Sequence, residues 1–260
     1  MTPKKIAYVQ EGTCRGYLSR SCRAVAQDLV RRGYTVKTFS PGKLPPAKHV
    51  TPHTPVKGDT ACVREIYQRA FHTPFPNIDV PKPLARYARR KIYTTTLGEL
   101  RATAKNKPPS AYDVFVKPLI AKEFHGQRFA TASHTLRYHP DDYPLQAQER
   151  RYFTNEVRFF AGPRTLRPQR LRENPRDKEL KRFAQKLYEV WKPTAPKAYV
   201  LDVGMSAPLT PTLPHLYVPT LVEINSVLTA GCLSEVKQPG ALVIAAWESY
   251  AHYAVHGTFR

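Results

Sequence analysis

The sequence predicts an α+β fold with a small α/β unit at its start, on three observations. Ile6 to Val9 and Thr35 to Phe39 are strand-length runs on either side of a helical one. Asp177 to Trp191 carries an apolar stripe at helical spacing. Ala198 to Val203 and Thr220 to Asn225 then follow as two further strand-length runs, each carrying an acid near its end. A chain of 260 residues, 42% of them hydrophobic, can bury one large core or two modest ones.

In chain order, Ile6 to Val9 is a short apolar run of strand length. Between Ser21 and Arg32, Cys22, Val25, Ala26, Leu29 and Val30 recur on one helical face, and Gly33 suits the cap that follows. Thr35 to Phe39 alternates as a strand. Strand, helix and strand at this spacing make an α/β unit. Pro41 to Lys57 holds prolines at 41, 45, 46, 52 and 55 and reads as loop or extended chain. Helices are expected over Asp59 to Phe71 and, in basic form, over Leu84 to Lys91. Tyr112 to Leu119 reads as a strand with Phe129 to Ala132 pairing back onto it, and Tyr152 to Ala161 as another. In the Asp177 helix the buried stripe is Leu180, Phe183, Ala184, Leu187, Tyr188 and Trp191, with Asn174 and Pro175 at its start. A helix from about Gly240 to His256 closes the chain.

The charge narrows the partners. Forty-one Lys and Arg against twenty Asp and Glu leave +21. Such a protein gathers anions, whether nucleotides, acidic peptides, nucleic acid or anionic membrane surfaces, and the charge alone does not choose among them. No apolar run is long enough to cross a bilayer, and Met1 to Lys5 leads into no signal-peptide core, so a cytoplasmic protein without a membrane partner is expected. Cys14, Cys22, Cys62 and Cys232 show neither C-x-x-C pairing nor zinc-ligand spacing and read as reduced thiols.

Chemistry concentrates in the later strands. Glu223 and Asn225 stand two apart in "LVEIN", a spacing that puts both on one strand face. If "AYVLDVG" pairs with that strand, Asp202 joins them in an oxygen-rich set suited to Mg²⁺. The plainer alternative is a solvated polar face, but acids inside apolar runs are costly unless paired or metal-bound. Lys117 interrupts "DVFVKP", and Lys122 precedes a loop containing Gly126; strand lysines of this kind can hold phosphates as point charges, or simply snorkel from an edge. Glu156 and Arg158 share a face in "QERRYFTNEVRFFAG", where an arginine beside a carboxylate can bind an anion bidentately or form a surface pair. No P-loop and no G-x-G-x-x-G is present.

The order of these motifs resembles the ATP-grasp superfamily, and most closely a clade of small ATP-grasp proteins from bacterial and phage genomes. The resemblance runs through "PVKGDTACVREIYQRAF", "ARRKIYTTTLGEL", "VFVKPLIAKEFHG", "QERRYFTNEVRFFAG", "AYVLDVG" and "LVEINSVLTAGC", over about residues 56 to 235. It implies a pre-ATP-grasp α/β domain over residues 1–85 and an ATP-grasp domain over 86–260, with two α+β lobes clasping ATP. It also implies that Lys117 and Lys122 contact the phosphates and that Gln148 and Glu149 line the adenine and ribose hinge. Glu156 and Arg158 would sit on the nucleotide strand, with Arg158 facing the reacting phosphate. Asp202, Glu223 and Asn225 would hold Mg²⁺. The chain departs from many relatives in the single glycine of "AKEFHGQRF" and the proline-rich stretch from Met205 to Pro219.

The implied activity is ATP-dependent carboxylate–amine ligation through an acylphosphate, with Lys117 and Arg158 as catalytic residues and ATP and Mg²⁺ as cosubstrate and cofactor. The partners are then an anionic carboxylate acceptor and an amine. Arg167, Arg170 and Arg172, in an arginine-rich stretch with no apolar pattern, are expected to recruit that acceptor. The competing class is a basic nucleic-acid-binding protein, for which the +21 charge and fifteen Tyr would serve. No general base stands out among the nine His.

Overall fold

The fold is that of a computed structural model describing residues 5–11, 16–76, 81–88, 92–96, 98–99, 114–118, 128–129, 144–149, 153–206 and 217–259. Strand β1 (Ile6–Gln10) leads to helix α1 (Tyr17–Arg31), which begins four residues before the apolar stripe expected from the sequence. Gly33, at φ 81, turns the chain into β2 (Thr35–Phe39). That left-handed turn suits glycine because it has no Cβ to clash. The proline-rich stretch expected to be loop contributes one short turn at Ala47–His49 and then β3 (Val56–Lys57). The three strands form a parallel sheet in the order β2-β1-β3. Helix α2 (Thr60–Phe71) follows, and the Asp59 carboxylate caps it by accepting from the Cys62 N–H at 2.8 Å.

The basic helix expected over Leu84 to Lys91 is not formed. Lys82–Tyr87 is a short 3₁₀ turn and Ala88 is already extended. With ψ at 92, Ala88 points the chain away from the helical path, so no α-helical ladder can continue through it.

A second, antiparallel sheet joins β4 (Ile92–Thr96), β5 (Val114–Pro118), β6 (Arg128–Phe129) and β7 (Pro144–Glu149) in the order β4-β7-β5-β6. The third sheet holds the carboxylates. It contains β8 (Phe153–Ala161) and β9 (Leu166–Pro168), then crosses through helix α3 (Pro175–Trp191) to β10 (Tyr199–Ser206) and β11 (Val218–Asn225). Its order is β11-β10-β8-β9, so β10 is central and β11 is an edge. Helix α3 is capped by Asn174, which accepts from the Asp177 N–H at 2.8 Å. Leu180, Ala184, Leu187, Tyr188 and Trp191 bury the expected stripe, with Phe183 partly covered.

The last helix, α4 (Pro239–His256), returns to the N-terminal unit. The Asp28 carboxylate of α1 accepts from the Gly240 N–H at 2.8 Å, and the Tyr67 hydroxyl of α2 donates to the Tyr250 carbonyl at 2.8 Å. Among the described residues no helix is long and apolar enough to cross a membrane.

Candidate active site

The site is built on one row across the third sheet. Asp202, in the middle of the fully buried strand β10, lies opposite Arg158 of β8 on one side and Glu223 of β11 on the other. Directly opposed residues on antiparallel strands share a face, so the three line up as Arg158, Asp202, Glu223. Asn225 is two residues further along β11 and takes the same face as Glu223. The hairpin of β10 and β11 thus brings the expected oxygen donors together.

Burial divides that row. Asp202 is 0% exposed, whereas Glu223 and Asn225 on the edge strand are partly open. Arg158 grips Asp202 bidentately, Nε to Oδ1 at 2.7 Å and Nη2 to Oδ2 at 2.8 Å. Burial alone would lower the arginine's pKa. The hydrogen bonds and charge of Asp202 more than offset that and leave it raised. Glu156 stands exposed near Arg158 and pushes in the same direction. A bulge lies beside the site, where Asn155 and Glu156 oppose a single residue, Gly204. Asn155 takes φ 53 there, a conformation its short polar side chain tolerates.

The donor set fits Mg²⁺ on its chemistry. Glu223 and Asn225 offer a carboxylate and an amide oxygen at a partly open edge. The Arg158 grip already occupies a lone pair on each Asp202 oxygen.

Two residues not singled out from the sequence close over this face. Lys57, at the end of β3, is 0% exposed, and its ammonium donates to the carbonyls of Leu228 at 3.2 Å and Ala230 at 2.8 Å. It fixes the loop that follows β11. Cys232, in the same loop, is buried beside Arg158; burial raises its thiol pKa, against the opposing pull of the guanidinium. Ser21 of α1 adds a further tie, donating to the Ala230 carbonyl and accepting from the Leu233 N–H. A lysine between apolar Val56 and Gly58 was the one sequence signal for this clamp.

The arginine-rich segment borders the row from the other edge. Leu166–Pro168 is not loop but the edge strand β9, paired to β8, with Leu166 packed against the core. The Gln169 N–H donates to the Arg158 carbonyl at 2.7 Å, which sets the next residues beside the site. Arg167 and Arg172 are exposed, and Arg170 reaches Glu235 at 3.5 Å while staying largely in solvent.

The expected nucleotide residues fall on the second sheet. Lys117 pairs in register with Gln146, and Gln148 with Phe115 two positions along, so Lys117 and Gln148 belong to one face and Glu149 to the other. Register of the backbone places these three. Lys122 lies outside the described residues.

A family model of an ATP-grasp domain, the second family of its clade, matches residues 87–240, more than half of the chain. The chain belongs to the ATP-grasp family. The match begins at Tyr87, so the segment from 56 to 86 lies outside it. Solved ATP-grasp structures align over nearly the whole molecule. The D-cycloserine synthetase DcsG gives a TM-score of 0.52 at 12% identity, covering 96% of this chain and 99% of its own. VanG D-Ala:D-Ser ligase from Enterococcus faecalis gives 0.51 at 13%, covering 96% and 98%. D-alanyl-alanine synthetase A from Vibrio cholerae gives 0.50 at 10%, covering 99% of each. At such identities the likeness establishes the ATP-grasp fold. No curated protein matches the chain by sequence.

Proposed function

We propose that this ATP-grasp protein is a Mg²⁺- and ATP-dependent carboxylate–amine ligase. The observation that carries the reading is the row Arg158–Asp202–Glu223 with Asn225 beside it, in a chain whose family match spans that row. Neighbours of the same fold are ligases by name, a D-Ala:D-Ser ligase among them, which supports the choice of reaction class.

In this reading ATP and a carboxylic acid are the first substrates. A carboxylate oxygen attacks the γ-phosphorus and ADP leaves, giving an acylphosphate. An amine then attacks the carbonyl carbon, phosphate departs with the former carboxylate oxygen, and the amine's proton passes to solvent. Glu223, Asn225 and Asp202 would hold Mg²⁺, which supplies charge neutralisation at the phosphates. Lys117 and Lys122 are assigned to the phosphates, Gln148 and Glu149 to the nucleoside, and Glu156 to the strand that presents Arg158. Arg158 serves twice, neutralising Asp202 and setting a fixed positive charge beside the reacting phosphoryl group. Most of the acceleration on this account comes from positioning and preorganised charge.

The test is isotopic. A panel of amino acids and peptides labelled with ¹⁸O in the carboxylate is incubated with the protein, ATP and Mg²⁺. Ligation through an acylphosphate delivers one ¹⁸O to the released inorganic phosphate, with ADP as coproduct. Release of AMP and pyrophosphate, or phosphate without label, contradicts the proposal.

A further inference from the structure

Helix α3 carries positive charge that the row of the third sheet does not use. Its Trp191 ring lies 4.5 Å from that of Tyr199 on β10, and its Tyr188 hydroxyl donates to the Gly162 carbonyl, just past β8, at 3.0 Å. Tyr199 and Asp202 are three residues apart on one strand and so face opposite sides of the sheet. Helix α3 therefore covers the side away from Arg158, Asp202 and Glu223, and its outer face meets solvent behind the site.

That face is cationic. Arg176, Lys178, Lys181, Arg182 and Lys186 are all exposed, and none of them forms an ion pair among the described residues. Two exposed carboxylates of the helix stand against them, Glu179 and Glu189, and Glu189 already accepts from Gln185 at 2.7 Å. Lys178, Arg182 and Lys186 occupy i, i+4 and i+8, one row with about 6 Å of rise between neighbours. The 3₁₀ turn Lys82–Tyr87 packs beside this row, with the Tyr87 and Phe183 rings edge to face at 6.0 Å. Arg86 and Lys186 both lie over the Tyr87 ring, at 4.9 and 5.4 Å from its centroid. Like charges four apart on a helix repel and destabilise it, a cost that a bound polyanion offsets.

We propose that the outer face of α3 docks the phosphate backbone of double-stranded DNA, without regard to base sequence. The proposal stands apart from the ligase reading. Protein interfaces are depleted in lysine and centre on apolar side chains, whereas the exposed large apolar residues among those described, Val30 and Val255, sit on α1 and α4. An anionic membrane would find no apolar anchor on this face either. Interfaces with DNA are polar and far more positive, and a row of cations along 17 helical residues, about 25 Å, can follow a run of phosphates. A duplex suits the face better than a single strand. Tyr87 and Tyr217 beside it are partly buried with cations over their rings, so charge rather than open ring is presented to a ligand. Between duplexes, the major groove of B-form DNA admits a helix and that of A-form RNA does not.

The test follows a labelled DNA duplex of mixed sequence by fluorescence anisotropy across a salt series. Wild type should bind at physiological salt, with log K falling against log salt by about 0.9 for each phosphate contacted. The triple variant Lys178→Gln, Arg182→Gln, Lys186→Gln should bind about tenfold more weakly or worse, with a flatter slope. All three side chains are exposed and glutamine is a good helix former, so this variant should fold. A second triple variant with the same loss of charge, Lys37→Gln, Lys43→Gln, Lys48→Gln, changes exposed lysines of the N-terminal unit and should bind nearly as wild type. Equal weakening in both variants reduces the effect to net charge and overturns the proposal. So does wild type that fails to bind the duplex, or that prefers duplex RNA, single-stranded DNA or phosphatidylserine vesicles. Stabilisation by ATP and Mg²⁺ should be the same in the first variant as in wild type; its loss would place the row in the nucleotide site and equally overturn the proposal.

Discussion

Strands β10 and β11 carry neighbouring carboxylates that the fold treats in opposite ways. Asp202, on the central strand, is sealed from solvent and its two oxygens are held by Arg158. Glu223, directly opposite on the edge strand, keeps part of its surface open, as does Asn225. The contrast follows from sheet position. A central strand has no route for water to a side chain beneath a covering loop, so its charge must be met by another charge. An edge strand leaves room for a ligand. The inner pair therefore stiffens the row, and the outer pair keeps a side open to solvent.

The largest effect should come from breaking the inner pair. Asp202→Ala leaves the Arg158 guanidinium uncompensated and should cost roughly 3–5 kcal/mol, towards the lower figure because 31% of the arginine side chain still meets solvent. Urea denaturation reads this directly. Replacing both partners by apolar residues, as in Arg158→Met with Asp202→Leu, should recover most of the loss. By contrast Glu223→Gln should change stability by less than about 1 kcal/mol. Similar losses for Asp202→Ala and Glu223→Gln would erase the distinction between the two strands.

Next in size is Lys117→Met, which retains the apolar stem and removes the charge. ATP affinity should fall about ten- to a hundredfold, as for one charge-assisted contact of roughly 1.5–3 kcal/mol. Calorimetric titration with ATP and Mg²⁺ checks it, and an unchanged affinity would move the phosphate cradle off β5. A smaller effect is expected from the exposed edge at β9. Replacing Arg167, Arg170 and Arg172 with Ser should raise the acceptor KM severalfold and spare ATP binding, since exposed charges act mainly by steering. If the triple variant instead loses tight RNA or DNA binding at physiological salt while KM stays put, the positive charge serves nucleic acid.

What could be read from the sequence was what repeats locally. The stripe from Leu180 to Trp191 and the alternation in "LVEIN" fix an element within a few residues, so α3, β10 and β11 stand where expected. Elements defined by distant partners could not be read. Val56–Lys57 is a strand only because β1 lies beside it, and Leu166–Pro168 only because of β8. The site divides in the same way. Glu223 and Asn225 announce themselves by spacing, but Arg158 and Asp202 are 44 residues apart, and Lys57 meets its acceptor carbonyls across 171 and 173. That Arg158 would spend its guanidinium on Asp202 depends on strand order, which no local pattern encodes.

On the proposed function, Mg²⁺ and ATP meet the protein at the open edge of the row, Glu223 with Asn225. Thermal denaturation with ATP, in the presence and absence of Mg²⁺, tests it on wild type and Glu223→Gln side by side. Ligand that binds only the native state raises its stability by RT ln(1 + [L]/Kd). A Mg²⁺-dependent rise is expected in wild type and should disappear in Glu223→Gln, while the two proteins melt alike without nucleotide. An equal Mg²⁺-dependent rise in both would contradict it.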